Sequence, residues 1–313
     1  MRTFGVRVFY LLVLGLLLSQ SFSYGFWVWT PHTKRFENAR EGGKDTPQAQ
    51  AKYARKRSNL ESQLKEWQVL LKRFPNSPQA GEALYNIGLI YEKMHNYYLA
   101  HRAYKKLIEK YPFSDYFSKA IEREFELGKK FLQGYRRKFW DITKPIENPA
   151  PEAFDLIVSS APYSEFAPAA LYYKGLYYKK KKVYDEATNA FERLLNAYPD
   201  SKYVDKAEYQ IAMTYYEMSL DPQYDQAFTE KAASAIRRFL VKYPNSSFRQ
   251  RAEGILKELE EKQAQHNLKI AKFYLKQKKN KSAKVYLEEV IEKYPNTRAA
   301  EEAKKLLRSL GSR

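Results

Sequence analysis

The side chains able to do chemistry in this 313-residue chain are few and dispersed. Its histidines, His32, His95, His101 and His266, never adopt the i, i+4 spacing of an H-E-x-x-H zinc helix. The nearest two, His95 and His101, fall on either side of an expected turn, where surface histidines rather than metal ligands are expected. Carboxylate groups such as Glu122 with Glu124, and Glu258 with Glu260 and Glu261, lie in segments of helical periodicity and read as charged helix faces, not as an acid and a base across a cleft. The chain has no cysteine, which excludes disulfides and thiolate metal sites. The expected catalytic, metal and cofactor complement is none, and what the chain offers instead is an array of helices.

That array is organised around a junction that recurs six times: Pro, any residue, Ser or Thr, then Ala eight positions after the Pro. The copies begin at Pro75, Pro112, Pro162, Pro199, Pro244 and Pro295, with Ala83, Ala120, Ala170, Ala207, Ala252 and Ala303 as their alanines. Proline disfavours the α conformation in the residue before it and ends the arriving helix. The hydroxyl is then expected to cap the next helix by accepting from its free N–H groups, and the alanine to let a neighbouring helix approach closely.

Between junctions the pattern reads Leu84-x-x-Ile87-Gly88-x-x-Tyr91, then Ala100-x-x-x-Tyr104-x-x-Leu107, then Pro112. This resembles the tetratricopeptide repeat, a helix-turn-helix unit of about 34 residues. Other units repeat it with Gly175, Ala187 and Phe191, and with Ala271, Ala283 and Leu287. The unit containing Ala212 and Ile236 has a longer turn, and the one with Leu127, Gly128 and Phe131 is stretched before Phe154. A helical glycine costs about 1 kcal/mol against alanine, so Gly88 implies a packing reason, expected to be a close crossing against Ala100. The fold class is all-α: a right-handed tetratricopeptide-repeat solenoid of about five helix pairs plus capping helices over residues 46–313. Its first repeat, with Ala51, Ala54, Trp67 and Leu70, is a degraded terminal cap. Ordered excursions are expected from Phe131 to Pro151 and from Ser219 to Gln226, a linking helix from Ala252 to Gln265, and a capping helix from Ala300 to Leu310.

In such solenoids the first helix of each pair lines a concave groove. Periodicity places Tyr85, Leu89, Phe125, Tyr172, Leu176, Tyr209, Met213 and Tyr216 on that side, as a candidate protein-binding groove for an extended or helical peptide.

The net charge of +19 favours anionic partners, whether acidic proteins or an anionic membrane surface. No zinc-finger, RNA-recognition or basic-zipper signature appears, so specific nucleic-acid binding is not expected. The Lys179–Lys182 and Lys276–Lys281 runs read as solvated helix ends that balance the helix dipole.

Residues 1–23 read as a secretory signal peptide: Arg2 and Arg7, the apolar run Val8 to Leu18, then Ser21 and Ser23. Losing the two arginines takes the charge to +17. An uncleaved anchor is the competing reading, although the apolar run is short of the ~20 residues that span a bilayer. Residues 24–45 follow as an aromatic extended segment, Phe26 to Trp29, and a linker from Glu37.

Signal peptide, repeats and the two extended units in this order resemble the BamD-type outer-membrane assembly proteins. The likeness rests on the Asp221-Pro222-Gln223 turn, the last repeat from Ile270-Ala271 to Pro295-Asn296-Thr297, and the Ser164 to Tyr178 helix, and it spans Asp45 to Leu310. It implies a non-catalytic, exported scaffold in the periplasm, peripheral to the outer membrane, whose partners are the β-barrel insertase component and outer-membrane protein clients. The family's lipidation cysteine has no counterpart. An exported adaptor of another secretion or envelope-division complex is the alternative. An exported lytic enzyme ranks behind both, since the chain has no room for a catalytic domain.

Overall fold

A computed structural model describes residues 27–30, 35–38, 46–134, 148–220 and 227–311. Strands β1 (Trp27–Thr30) and β2 (Arg35–Asn38) pair antiparallel, Trp27 opposite Asn38 and Thr30 opposite Arg35. The extended aromatic segment thus includes a paired strand, and Glu37 and Asn38, the first residues of the expected linker, belong to its partner strand. The expected signal peptide lies outside the described residues, as do residues 135–147 and 221–226 of the two expected excursions.

The helices are α1 (Pro47–Arg55), α2 (Leu60–Arg73), α3 (Gln79–Lys93), α4 (Tyr97–Lys110), α5 (Phe117–Leu132), α6 (Ala150–Ser160) and α7 (Phe166–Lys180). They continue with α8 (Tyr184–Ala197), α9 (Val204–Leu220), α10 (Ala227–Lys242), α11 (Arg249–Lys276), α12 (Asn280–Lys293) and α13 (Arg298–Gly311). The expected linking helix and the first helix of the last repeat are one continuous rod, α11. No proline interrupts Arg249 to Lys276, and the apolar positions Ala252, Ile255, Leu259, Ala264, Leu268 and Ala271 bury one face of it from end to end.

The chain divides into two compact units, 1–120 and 121–313, at a boundary within α5. In the first, Ala51, Ala54, Trp67, Leu70, Ala83, Ile87 and Ile90 form one core, so the degraded first repeat is packed as expected. Arg55 on α1 reaches α3 with a two-pronged bond to the Glu82 carboxylate, at 2.7 and 2.6 Å. In the second unit each helix from α6 to α13 packs on the next. Its cores include Leu171, Ala187, Phe191 and Leu194, then Ala212, Ala232, Ile236 and Phe239, then Ala271, Leu287, Val290 and Ala303.

Two kinds of helix end alternate along both units. First helices α3, α7 and α11 stop in a left-handed residue, His95, Lys182 or Lys278, with φ of 57, 59 and 56°. The following N–H groups of Asn96, Val183 and Lys279 donate back to the carbonyls of Tyr91, Tyr178 and Tyr274 at 2.8, 3.0 and 3.0 Å. These are Schellman turns built without glycine. Helices α2, α4, α6, α8 and α12 stop instead at the residue before the junction proline: Phe74, Tyr111, Ala161, Tyr198 and Tyr294 all hold φ between −130 and −137° and ψ between 51 and 59°. The proline excludes helix there, as expected.

The junction hydroxyls behave differently from the simple cap expected. Ser77, Ser164 and Thr297 donate back to the carbonyls of Phe74, Ala161 and Tyr294 at 2.9, 2.7 and 2.8 Å. Ser114, Ser201 and Ser246 accept from the N–H two residues on, at 3.2, 3.3 and 3.4 Å, and Thr297 also accepts from the third, Ala300, at 3.1 Å. The hydroxyl therefore closes the turn at three junctions and accepts from the N-terminal N–H groups of the next helix at four, Thr297 doing both.

The glycine of the first helix sits under a ring, not against a small residue. A Cβ at Gly88 would overlap the Tyr104 ring, one at Gly128 the Phe154 ring, and one at Gly175 the Phe191 ring. The expected partner of Gly88, Ala100, is replaced by Tyr104, whose hydroxyl donates to buried Glu92 at 2.7 Å.

Candidate protein-interaction site

Of the eight residues expected on the groove, Tyr85, Leu89, Tyr172, Leu176 and Tyr216 are half-buried and keep open surface. Phe125, Tyr209 and Met213 are core side chains. The ring of Phe125 lies 5.4 Å from Phe166 and 5.7 Å from Tyr173, while Tyr209 stacks on Phe248 at 4.4 Å and meets Phe239 at 5.5 Å. Met213 joins the same core as Tyr209. The correction is one of angle: successive helical residues turn by about 100°, so a face inferred to within one residue mixes lining with core positions. In the first unit Tyr85 rests 5.1 Å from the Tyr116 ring and 6.0 Å from Tyr104.

Within the second unit the first helices α7, α9 and α11 are linked side by side. Lys179 on α7 donates to the Gln210 amide oxygen on α9 at 2.8 Å and pairs with Glu217 at 3.2 Å. Gln210 also acts on the Tyr172 phenol, opposing the rise that burial gives it. Tyr216 on α9 donates to Glu258 on α11 at 3.1 Å, and Lys262 to the Ser219 carbonyl at 2.9 Å. This row of polar bonds runs among half-buried tyrosines, so the face is aromatic and charged together.

Periodicity could not find Lys179, Gln210, Glu217 or Glu258, because it weighs apolar residues only. The one visible signal was the Lys179–Lys182 run, and there the expectation of a solvated terminus fails for Lys179, whose side chain is only 12 % exposed. Burial pulls its ammonium below the ordinary lysine value, against the opposing carboxylate of Glu217. Burial also raises the phenols of Tyr172, Tyr203 and Tyr209, and that of Tyr216, where the bond to Glu258 adds to it.

Residues considered for chemistry fall elsewhere. His95 is in the α3–α4 turn beside the Tyr97 hydroxyl at 3.1 Å, His101 is buried beside Tyr98, and His32 is outside the described residues. Glu122 is exposed as expected, but Glu124 is fully buried and engaged with neighbours, not part of a charged face. Among the described residues no three His, Asp or Glu side chains converge as a metal site, and no helix is long and apolar enough to cross a membrane.

A family model described as YfiO, outer membrane lipoprotein, matches residues 152–310, just over half the chain. A tetratricopeptide-repeat model matches residues 82–114. An outer membrane protein assembly factor BamD of Caulobacter vibrioides is 28% identical over 156 residues, 50% of this chain and 51% of that protein. The protein of the same name from Rickettsia prowazekii is 27% identical over 154 residues, 49% of this chain and 61% of that one. The chain thus spans between half and about three-fifths of the length of these curated relatives. Among solved structures, MamA is 18% identical, with 62% of this chain and 94% of that one covered and a TM-score of 0.35.

Proposed function

The chain belongs to the YfiO outer membrane lipoprotein family, and from that premise we propose that it is a non-catalytic scaffold of outer-membrane β-barrel protein assembly. The observation that carries this reading is the match over residues 152–310, which takes in α7 to α12, the stretch whose first helices present the aromatic and charged face. Partners dock on the repeat surfaces of each unit, with the half-buried Tyr85 and Leu89 as contacts in the first and Tyr172, Leu176 and Tyr216 in the second. The β-barrel insertase component and outer-membrane protein clients are the partners, and the periplasmic side of the outer membrane is the location. A rigid row of packed helices suits such a role, because a preformed surface loses little entropy when a peptide settles on it.

The test is depletion of the protein in its host with quantitation of folded β-barrels in the outer membrane, paired with recovery of crosslinked partners. Loss of several barrel proteins together, with the insertase component recovered, is expected. Normal barrel content, with another envelope complex recovered, would replace this reading with that of an adaptor.

A further inference from the structure

The turn between α11 and α12 makes a cationic and partly apolar tip on the second unit. From His266 to Leu287 the chain holds seven lysines, no arginine and no carboxylate. Lys272 and Lys284 are paired, with Glu302 at 2.6 Å and Glu288 at 3.6 Å. The ammonium groups of Lys276, Lys278, Lys279 and Lys281 are exposed and make no ion pair or hydrogen bond among the described residues. In the other lysine run, by contrast, Lys179 is tied to Gln210 and Glu217. Two large apolar side chains stand beside the free lysines: Phe273 is 58% exposed and Val285 61%. Tyr274 stacks on Tyr286 at 5.6 Å across the antiparallel pair, so the residue before each ring, about 100° away, turns toward the same side. Phe273 and Val285 therefore open on one face. The tip also projects past the neighbouring pair. Lys262 meets the last turn of α9 through the Ser219 carbonyl at 2.9 Å, and Lys276 lies fourteen residues, about 21 Å of helix, further on.

We propose that this tip is a docking surface for an anionic phospholipid bilayer, with the four free lysines over the headgroups and Phe273 and Val285 in the boundary between headgroups and acyl chains. Charge complementarity selects an anionic occupant, and the residue types select lipid over protein. Protein interfaces favour arginine, whose planar fork pairs with carboxylates in fixed geometry, and are depleted in lysine. A diffuse layer of headgroup charge asks only for mobile point charges, and each lysine held near it adds to the attraction. An exposed ring and an exposed aliphatic side chain beside the cations suit the same boundary. This contact is additional to the scaffold role and does not depend on it, since the chain alone meets the bilayer.

The chain has no cysteine, so Val285→Cys carries a single environment-sensitive nitrobenzoxadiazole label at the tip, and Val241→Cys, at an exposed valine on α10, carries the same label away from it. The purified full-length chains are titrated with vesicles of phosphatidylcholine alone or mixed with phosphatidylglycerol. Brighter, blue-shifted emission is expected at position 285 with the mixed vesicles, but not with phosphatidylcholine alone and not at position 241. A local label reports the tip itself rather than the N-terminal apolar run that every variant shares. Replacing Lys276, Lys278, Lys279 and Lys281 together by Gln should raise the lipid concentration for half-maximal response at least about tenfold. Phe273→Ser should raise it about threefold, with an unchanged Tm because the ring is exposed. No response at position 285 to the mixed vesicles, equal responses at positions 285 and 241, or an unchanged midpoint in the lysine variant would overturn the proposal. So would lysine-dependent binding of a poly-Glu peptide with the vesicles left unbound, which would assign the tip to an acidic protein. Normal barrel content after depletion sinks the scaffold role and leaves this contact standing, whereas a silent label with barrels lost sinks the contact alone.

Discussion

In the pair α7 and α8 the crossing is a glycine under a ring, Gly175 beneath Phe191, whereas in α11 and α12 the same two positions hold Ala271 and Leu287 in one core. The pair α9 and α10 follows the second pattern with Ala212 and Ile236. In the first unit Gly88 and Tyr104 follow the first. Where the first helix has given up its methyl group, the second helix supplies an aromatic ring, and where it keeps the methyl the partner is aliphatic. The crossing conserves summed volume rather than either residue, as close packing requires.

The largest way to break this comparison is to empty the two crossings. Phe191→Ala should cost about 3–5 kcal/mol and Leu287→Ala about 2–5 kcal/mol in chemical denaturation, the ring leaving the larger void. A sharper test adds volume. Gly175→Ala should cost about 1–3 kcal/mol, and Phe191→Leu in the same chain should recover part of that loss. If the double variant shows the full sum of the two single losses, volume compensation is not the reason for the pairing. Ala271→Gly, the converse change, should cost about 1 kcal/mol, mainly from helix propensity.

Smaller effects come from the turns that join each pair. Lys182→Gly and Lys278→Gly relieve a left-handed residue and should each stabilise by about 1 kcal/mol, visible as a raised Tm.

The smallest and most distributed effect is alkaline. Burial raises the phenols of Tyr172, Tyr198, Tyr203 and Tyr209 above their ordinary 10.0. A phenol raised in the folded state adds stability below pH 10, and that stability is lost as pH rises through the folded value. Lys179 has the opposite sign: its lowered value makes the folded state gain stability as pH rises toward 10.5. Denaturant midpoints should therefore fall above pH 10, and Lys179→Met should flatten the approach to that fall without steepening it. A midpoint that climbs above pH 10 would show that the tyrosines do not dominate.

The repeat architecture was legible because it is written in local signals that recur. Proline just after each second-helix stop, small residues at each crossing and tyrosines at helical spacing identify the helix pairs, since each acts within one turn of its own position. Of the eight residues expected on the groove, five are half-buried. The rest depended on neighbours distant in sequence. Phe125 and Tyr209 became core because rings from other helices and turns pack against them, and Met213 because it shares the core of Tyr209. The partner of Gly88 was misread for a similar cause: a missing methyl says that something is close, but only the packed helix shows that it is the ring of Tyr104.

By itself the sequence determined the class of fold, the repeat register and the helix stops, because periodicity and backbone restriction are properties of neighbours along the chain. The tertiary structure alone decided which tyrosines keep open surface and which are core, and that Lys179 is held between Gln210 and Glu217 while Tyr216 reaches Glu258. Those are facts about side chains from three different helices, and no spacing within a single helix encodes the distance between them.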